Sequence, residues 1–95
     1  MKDINLCSET KFTQTPQKWT VYIIICGDNT LYTGITNNIR KRIKKHEEGV
    51  GAKYTRGRGP FRLGYTESFS AKSEALRREM AIKKLHRKDK WNLIE

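Results

Sequence analysis

The chain has 95 residues, 20 Lys+Arg against 10 Asp+Glu, a formal net charge of +10 and 36% apolar residues. A chain of this size buries roughly 65% of its unfolded surface, enough for one small core and no second domain. The longest apolar run, Val21 to Cys26, is far short of a membrane span, MKDINLCSET has no apolar leader, and Cys7 and Cys26 make no disulfide framework, so a reducing cytoplasm is the expected setting.

Residues 1–18 are polar and without sustained period, which predicts a loosely ordered arm ahead of a domain over 19–95. From Trp19 the chain turns β-branched and aromatic, then meets Gly27-Asp28-Asn29-Thr30 and a second short run, Leu31 to Thr36, so 20–36 reads as a β-hairpin. Asn37 or Asn38 is placed to cap a helix whose core face carries Ile39 and Ile43, with Arg40, Lys44 and Lys45 in water and Gly49 and Gly51 at its end. A glycine-rich basic loop over 49–60 follows. Residues 61–67 predict a third strand with Phe61, Leu63 and Tyr65 on one face. Ser70 then suits the N-cap of a long helix over 71–87, with Ala75, Leu76, Met80, Ile82 and Leu85 as its apolar stripe. Residues 90–94 are expected to fold back and cover the core with Trp91 and Leu93. The order is ββαβα plus a short C-terminal helix.

The positive charge is clustered: 40–62 carries nine basic and two acidic groups, and 72–90 eight against three. Such density suits a polyanion, since each phosphate contact releases condensed counterions. Zinc-type pairing of Cys7, Cys26, His46 and His86 is absent, no phosphate-binding P-loop is present, and Cys26 ends an apolar strand as a small hydrophobe rather than a nucleophile. Tyr22, Tyr32, Arg42, His46 and Glu79 form a more specific set. Arg42 and His46 are one helical turn apart, and Glu79 is flanked by Arg77, Arg78, Lys83 and Lys84. Two phenols, a guanidinium, an imidazole and a carboxylate suit phosphodiester cleavage: the carboxylate holds a divalent metal, the guanidinium a phosphate oxygen, and a phenol or imidazole orients or deprotonates water. Lys53, Tyr54, Arg56, Arg58 and Lys83 are candidate nucleic-acid contacts, Tyr54 by stacking and the cations on phosphates. The plainer alternatives are strand aromatics packed across a hairpin for the two tyrosines, and a surface pair with Arg78 or Lys83 for Glu79.

At these residues the chain resembles the GIY-YIG nuclease superfamily, in particular its small single-domain branch. The first signature stands as Thr20-Val21-Tyr22, with Thr20 where the family has glycine, and the second as Tyr32-Thr33-Gly34. Arg42 follows ten residues after Tyr32, Glu74 to Lys83 resembles the metal-binding helix with Glu79 at the ligand position, and Asn92 falls near the family's final asparagine. The resemblance spans 19–94. It implies an α+β fold with a three-stranded antiparallel sheet flanked by helices, and Mg2+- or Mn2+-dependent endonuclease cleavage of DNA. It further implies Glu79 as metal ligand, Arg42 on the pentavalent phosphate, Tyr22 as general base or water-orienting group and Tyr32 in support. His46 would stand behind them or touch substrate. The same fold also serves a non-catalytic nucleic-acid-binding module, or a nuclease subunit that needs a partner protein for targeting.

Two physical conditions follow for such a site. Both tyrosines share a face only if the hairpin turn has odd length or a bulge; pairing Gly27 with Leu31 would set Cys26 opposite Tyr32. A phenol with pKa about 10 also needs roughly three units of help, about 4 kcal/mol, to act as a base near neutrality.

Overall fold

The protein was analysed as a computed structural model, which describes residues 18–94. The arm expected over 1–18 therefore lies, apart from Lys18, outside the described residues, as does Cys7. Three strands, β1 (Trp19–Ile25), β2 (Leu31–Thr36) and β3 (Arg62–Phe69), form one antiparallel sheet in the order β2-β1-β3. Helix α1 (Ile39–Glu47) follows β2, while α2 (Lys72–Lys83) and α3 (Arg87–Ile94) follow β3. This is an α+β fold. No helix among the described residues is long and apolar enough to cross a membrane.

The unbroken apolar run of β1 has a simple cause: the strand is central and covered on both faces. Val21 and Ile23 pack with Ala75 and Ile82 of α2, supported by Leu93 and Ile94 of α3. Tyr22, Ile24 and Cys26 point the other way, against Tyr32, Phe61, and Ile39 and Ile43 of α1.

The hairpin meets the parity condition, in a register two residues from the expected one. Tyr32 lies opposite Ile24 rather than Cys26, and Tyr22 opposite Gly34. Cys26 N donates to Thr30 O at 2.9 Å, which leaves the odd-length loop Gly27-Asp28-Asn29. Asn29 takes φ 65°, the left-handed closing conformation that a three-residue hairpin loop requires. Asp28 braces this loop by accepting from Thr30 N at 3.1 Å and from Thr30 Oγ1 at 2.6 Å.

Helix α1 starts and stops as its sequence dictates. Asn38 is the N-cap, its side chain accepting from Lys41 N at 3.1 Å. At the other end Gly49, with φ 82°, donates to His46 O and Val50 donates to Lys45 O, both at 3.0 Å. This Schellman closure uses glycine because only a residue without Cβ adopts that φ at no cost.

Three expectations are corrected. A bulge between Ile23 and Ile24 on their pairing to β3 sets Ile23 opposite Tyr65 and Ile24 opposite Leu63, skipping Gly64. Phe61 therefore packs on the α1 face while Tyr65 joins the α2 face, so the three side chains do not share a side. Ser70 does not cap α2; Ala71 holds that position and makes no side-chain cap bond. The long helix ends at Lys83, and a separate α3 begins at Arg87, because the turn between them returns Leu93 and Ile94 to the Val21 and Ile23 cluster. Arg87 donates to Asn29 O at 2.6 Å and ties the start of α3 to the hairpin loop.

Candidate active site

The bulk of Tyr22 meets a strand position with no side chain. On β2, Gly34 sits directly opposite, and a Cβ there would come within 2.6 Å of the Tyr22 hydroxyl. The phenol thus lies across the edge strand and reaches a cleft of about 450 Å³. Tyr32, Gly34, Arg42 and Glu79 line the same cleft, with Trp19 and Lys72 at its border. Three separate segments, the hairpin, α1 and α2, therefore converge on one place.

Glu79 arrives by a route different from the expected one. The stripe Leu76 and Met80 is largely exposed, at 39% and 56%, whereas Ala75 and Ile82 are fully buried. The inward seam of α2 thus runs through Ala75, Glu79 and Ile82, spaced i, i+4, i+7, which turns the carboxylate towards the sheet. Its side chain is only 15% exposed, and Lys83 Nζ approaches Oε2 to 3.3 Å. Arg78 is not its partner: that guanidinium donates to Glu67 Oε1 at 2.9 Å.

Behind the cleft lies a buried polar chain. Arg42 Nε donates to Tyr22 Oη at 3.4 Å, and Tyr22 Oη is 3.0 Å from His46 Nε2. On the far side of the ring, His46 Nδ1 is 2.8 Å from Thr55 Oγ1, which donates to Ala52 O at 3.1 Å. His46 is 1% exposed and Thr55 fully buried. The loop can approach this closely because a Cβ at Gly51 would lie 2.7 Å from His46 Nδ1.

The electrostatics favour neutral partners at rest. Burial pushes the Tyr22 phenol above its ordinary pKa, against the hydrogen bond from Arg42, which pulls it down. Burial, and then the charge of Arg42, hold His46 below the usual histidine range. Arg42 is raised by its hydrogen bond to Tyr22 and remains a cation. Burial thus outweighs Arg42 at Tyr22, whose hydroxyl has an imidazole nitrogen as its partner 3.0 Å away.

The candidate contact residues divide. Lys53 and Arg56 are exposed on the loop after α1. Tyr54 stacks on Tyr32 with ring centroids 5.9 Å apart, and the Arg58 guanidinium sits 4.5 Å from the Tyr54 ring centre. Arg58 is further held by Asp28 at 2.5 Å and by the Tyr54 carbonyl at 2.7 Å, so it clamps the loop onto the hairpin turn. Lys83 lines a second hollow beside the first, shared with Tyr32, Tyr54 and Lys90. Asn92 is exposed on α3 and is not among the residues lining the cleft; Asn37 is. Thr55 was not singled out from sequence, because nothing in its loop announces that its hydroxyl meets a histidine nine residues earlier.

No group of three or more His, Cys, Asp or Glu among the described residues is placed to hold a metal ion. Among the described residues, Glu79 is the single carboxylate lining the cleft. Mg2+ keeps several waters and takes one or two carboxylates plus substrate phosphate oxygens, so a single carboxylate fits such an ion.

Comparison with known proteins bears on the family and the fold. Residues 18–92 match the GIY-YIG catalytic domain family. The UPF0213 protein CPE1444 of Clostridium perfringens is 61% identical over 74 residues, covering 78% of this chain and 80% of that protein. The solution NMR structure of the UPF0213 protein BH0048 from Bacillus halodurans superposes with TM-score 0.54 at 52% identity, over 81% of this chain and 82% of that one. That of EF2693 from E. faecalis gives 0.57 at 39% identity, over 79% and 80%.

Proposed function

The chain belongs to the GIY-YIG family, and from that premise we propose that it is an endonuclease hydrolysing DNA phosphodiester bonds with Mg2+ or Mn2+. The observation carrying this reading is the convergence of Tyr22, Tyr32, Arg42 and Glu79 on one cleft, with His46 bonded to Tyr22 from behind.

Glu79 would hold the metal, with Lys83 giving up its contact with the carboxylate. When bound, the ion supplies Lewis-acid polarisation of a phosphate oxygen. Arg42 offers a cationic fork to a second phosphate oxygen and stabilises charge that grows as phosphorus becomes five-coordinate. Tyr22 orients the attacking water. As the water oxygen bonds to phosphorus, its proton passes to Tyr22 Oη while the phenol's own proton passes to His46 Nε2. One ester P–O bond breaks, and the departing oxygen takes a proton from solvent. Because the two transfers are paired, Tyr22 never has to stand as a free phenolate, which its burial opposes. Tyr32 packs its ring 5.3 Å from that of His46 and keeps bulk water from the relay. Lys53, Arg56 and Lys83 supply phosphate contacts that position the strand without reading its sequence.

The test is cleavage of end-labelled single-stranded, duplex and branched DNA with Mg2+, Mn2+ or EDTA, comparing wild type with Glu79→Ala. Metal-dependent cutting that disappears in the variant is expected. Salt-sensitive binding by both proteins without cutting would overturn the reading in favour of a binding module or a partner-dependent subunit.

A further inference from the structure

We propose that Thr55 is a positioning residue: it holds His46 in the tautomer protonated at Nδ1, and so sets the direction in which Tyr22 gives up its proton. The tautomer follows from geometry alone; its consequence for the reaction rests on the nuclease reading above.

The count of donors and acceptors along the polar chain fixes the direction of each bond. Four hydrogen bonds run in series from Arg42 through Tyr22, His46 and Thr55 to Ala52. The two ends of the series have no choice of role: a guanidinium N–H only donates, and a carbonyl oxygen only accepts. The Thr55 hydroxyl has one hydrogen, and the Ala52 carbonyl takes it. Thr55 Oγ1 can then only accept from His46, so the hydrogen of the ring sits on Nδ1 and Nε2 keeps its lone pair. At the other end Tyr22 Oη accepts from Arg42 and directs its own hydrogen to that lone pair. Every donor and acceptor in the series is matched.

The opposite tautomer breaks the series at two points. With the hydrogen on Nε2, Thr55 would have to turn its hydroxyl to Nδ1 and abandon Ala52 O. Tyr22 Oη would then receive hydrogens from both Arg42 and His46, and its own hydrogen would lose its partner. Cleft water can take the Tyr22 hydrogen, but Thr55 is fully buried and His46 is 1% exposed, so the Ala52 bond that Thr55 would give up is the loss that decides between the tautomers. Tyr22, Tyr32 and Arg42 are the titratable or charged groups facing the ring, and none of them acts on Nδ1. The choice of tautomer falls to Thr55.

The experiment is a long-range 1H–15N spectrum of uniformly labelled protein at neutral pH, with His86, which is exposed, as the internal reference. His46 is expected to show a protonated Nδ1 and a bare Nε2 in the wild type and in Thr55→Ser. Thr55→Val, which keeps the shape and removes the hydroxyl, is expected to shift His46 towards the Nε2–H form. Thr55→Ala takes its place if the valine variant does not give a folded amide spectrum. A wild-type His46 protonated at Nε2, or a tautomer unchanged in the folded hydroxyl-free variant, would overturn the proposal. In the cleavage assay the loss of Thr55 is expected to lower kcat about 10- to 100-fold, at or below the roughly 10²- to 10⁴-fold worth of a proton-transfer group itself, with serine restoring most of it. A fall in kcat with the tautomer unmoved would assign Thr55 a merely structural role and also overturn it. Absence of any cleavage by wild type would instead sink the nuclease reading and leave the spectrum to decide this one.

Discussion

The two faces of β1 are built from alternate residues of one heptapeptide, yet they do different work. Val21 and Ile23 meet Ala75 and Ile82 in an apolar cluster. Tyr22, one residue away and equally buried, meets an imidazole, a guanidinium and, through the ring, a buried hydroxyl. The first face is tolerant in chemistry and strict in volume. The second is strict in chemistry, because each buried polar group depends on the next for its partner. The apolar anchors lie on the first face and the proposed proton relay on the second, separated by the thickness of a single strand.

Substitutions on either side sharpen that contrast. Tyr22→Phe should lower DNA cleavage on the order of 10²- to 10⁴-fold, the usual worth of a positioned proton-transfer group, while thermal melts show a folded protein. Ile82→Ala, on the other face, should cost about 2–5 kcal/mol in urea unfolding and leave cleavage per folded molecule close to wild type at low temperature. Comparable loss of rate in both variants would dissolve the distinction.

The buried histidine gives the polar face a pH signature that the apolar face lacks. His46 is held below the usual range in the fold, so the unfolded chain binds its proton first as pH falls. Its contribution to stability is therefore complete above about pH 6.5 and is lost as pH drops through the folded value; one proton limits the slope to about 1.4 kcal/mol per pH unit. Urea titrations between pH 8 and pH 5 should show this decline, and it should persist in His86→Gln. Cleavage should fall in the same direction, since an imidazolium has no lone pair for the Tyr22 proton.

The smallest effect is expected at the cation paired with Glu79. Lys83→Met removes a half-exposed cation from Glu79. Stability should change by no more than about 1 kcal/mol, and the Mn2+ concentration for half-maximal cleavage should fall by less than about fivefold. A large loss of stability would mean that the Glu79–Lys83 pair belongs to the framework rather than to the site.

Much of the fold is legible from local chemistry. The β-branched run of β1, the Gly-Asp-Asn turn, the Asn38 cap and the Gly49 stop each act over a few residues, where propensity and hydrogen-bonding options are decisive. The odd hairpin loop is legible for a related reason: period two leaves only one parity that puts Tyr22 and Tyr32 on the same face. Helix α2 is where that logic stops. Leu76 and Met80 look like its core face, but the anchors are the smaller Ala75 and the single Ile82, and their choice turns Glu79 inwards. Nothing within 71–87 marks the break after Lys83, which depends on what Leu93 and Ile94 can reach.

By itself, then, the sequence determined the elements, their order and the residue types available for chemistry at a basic surface. Only the tertiary structure decided which of those residues meet. The bulge at Gly64 sends Phe61 and Tyr65 to opposite faces, Gly34 lets the phenol cross the edge strand, and Gly51 admits the loop that brings Thr55 to His46. The physical reason is that strand parity and helix period are properties of neighbours along the chain. Close approach between segments is set by missing side-chain volume, and it becomes visible only when those segments pack.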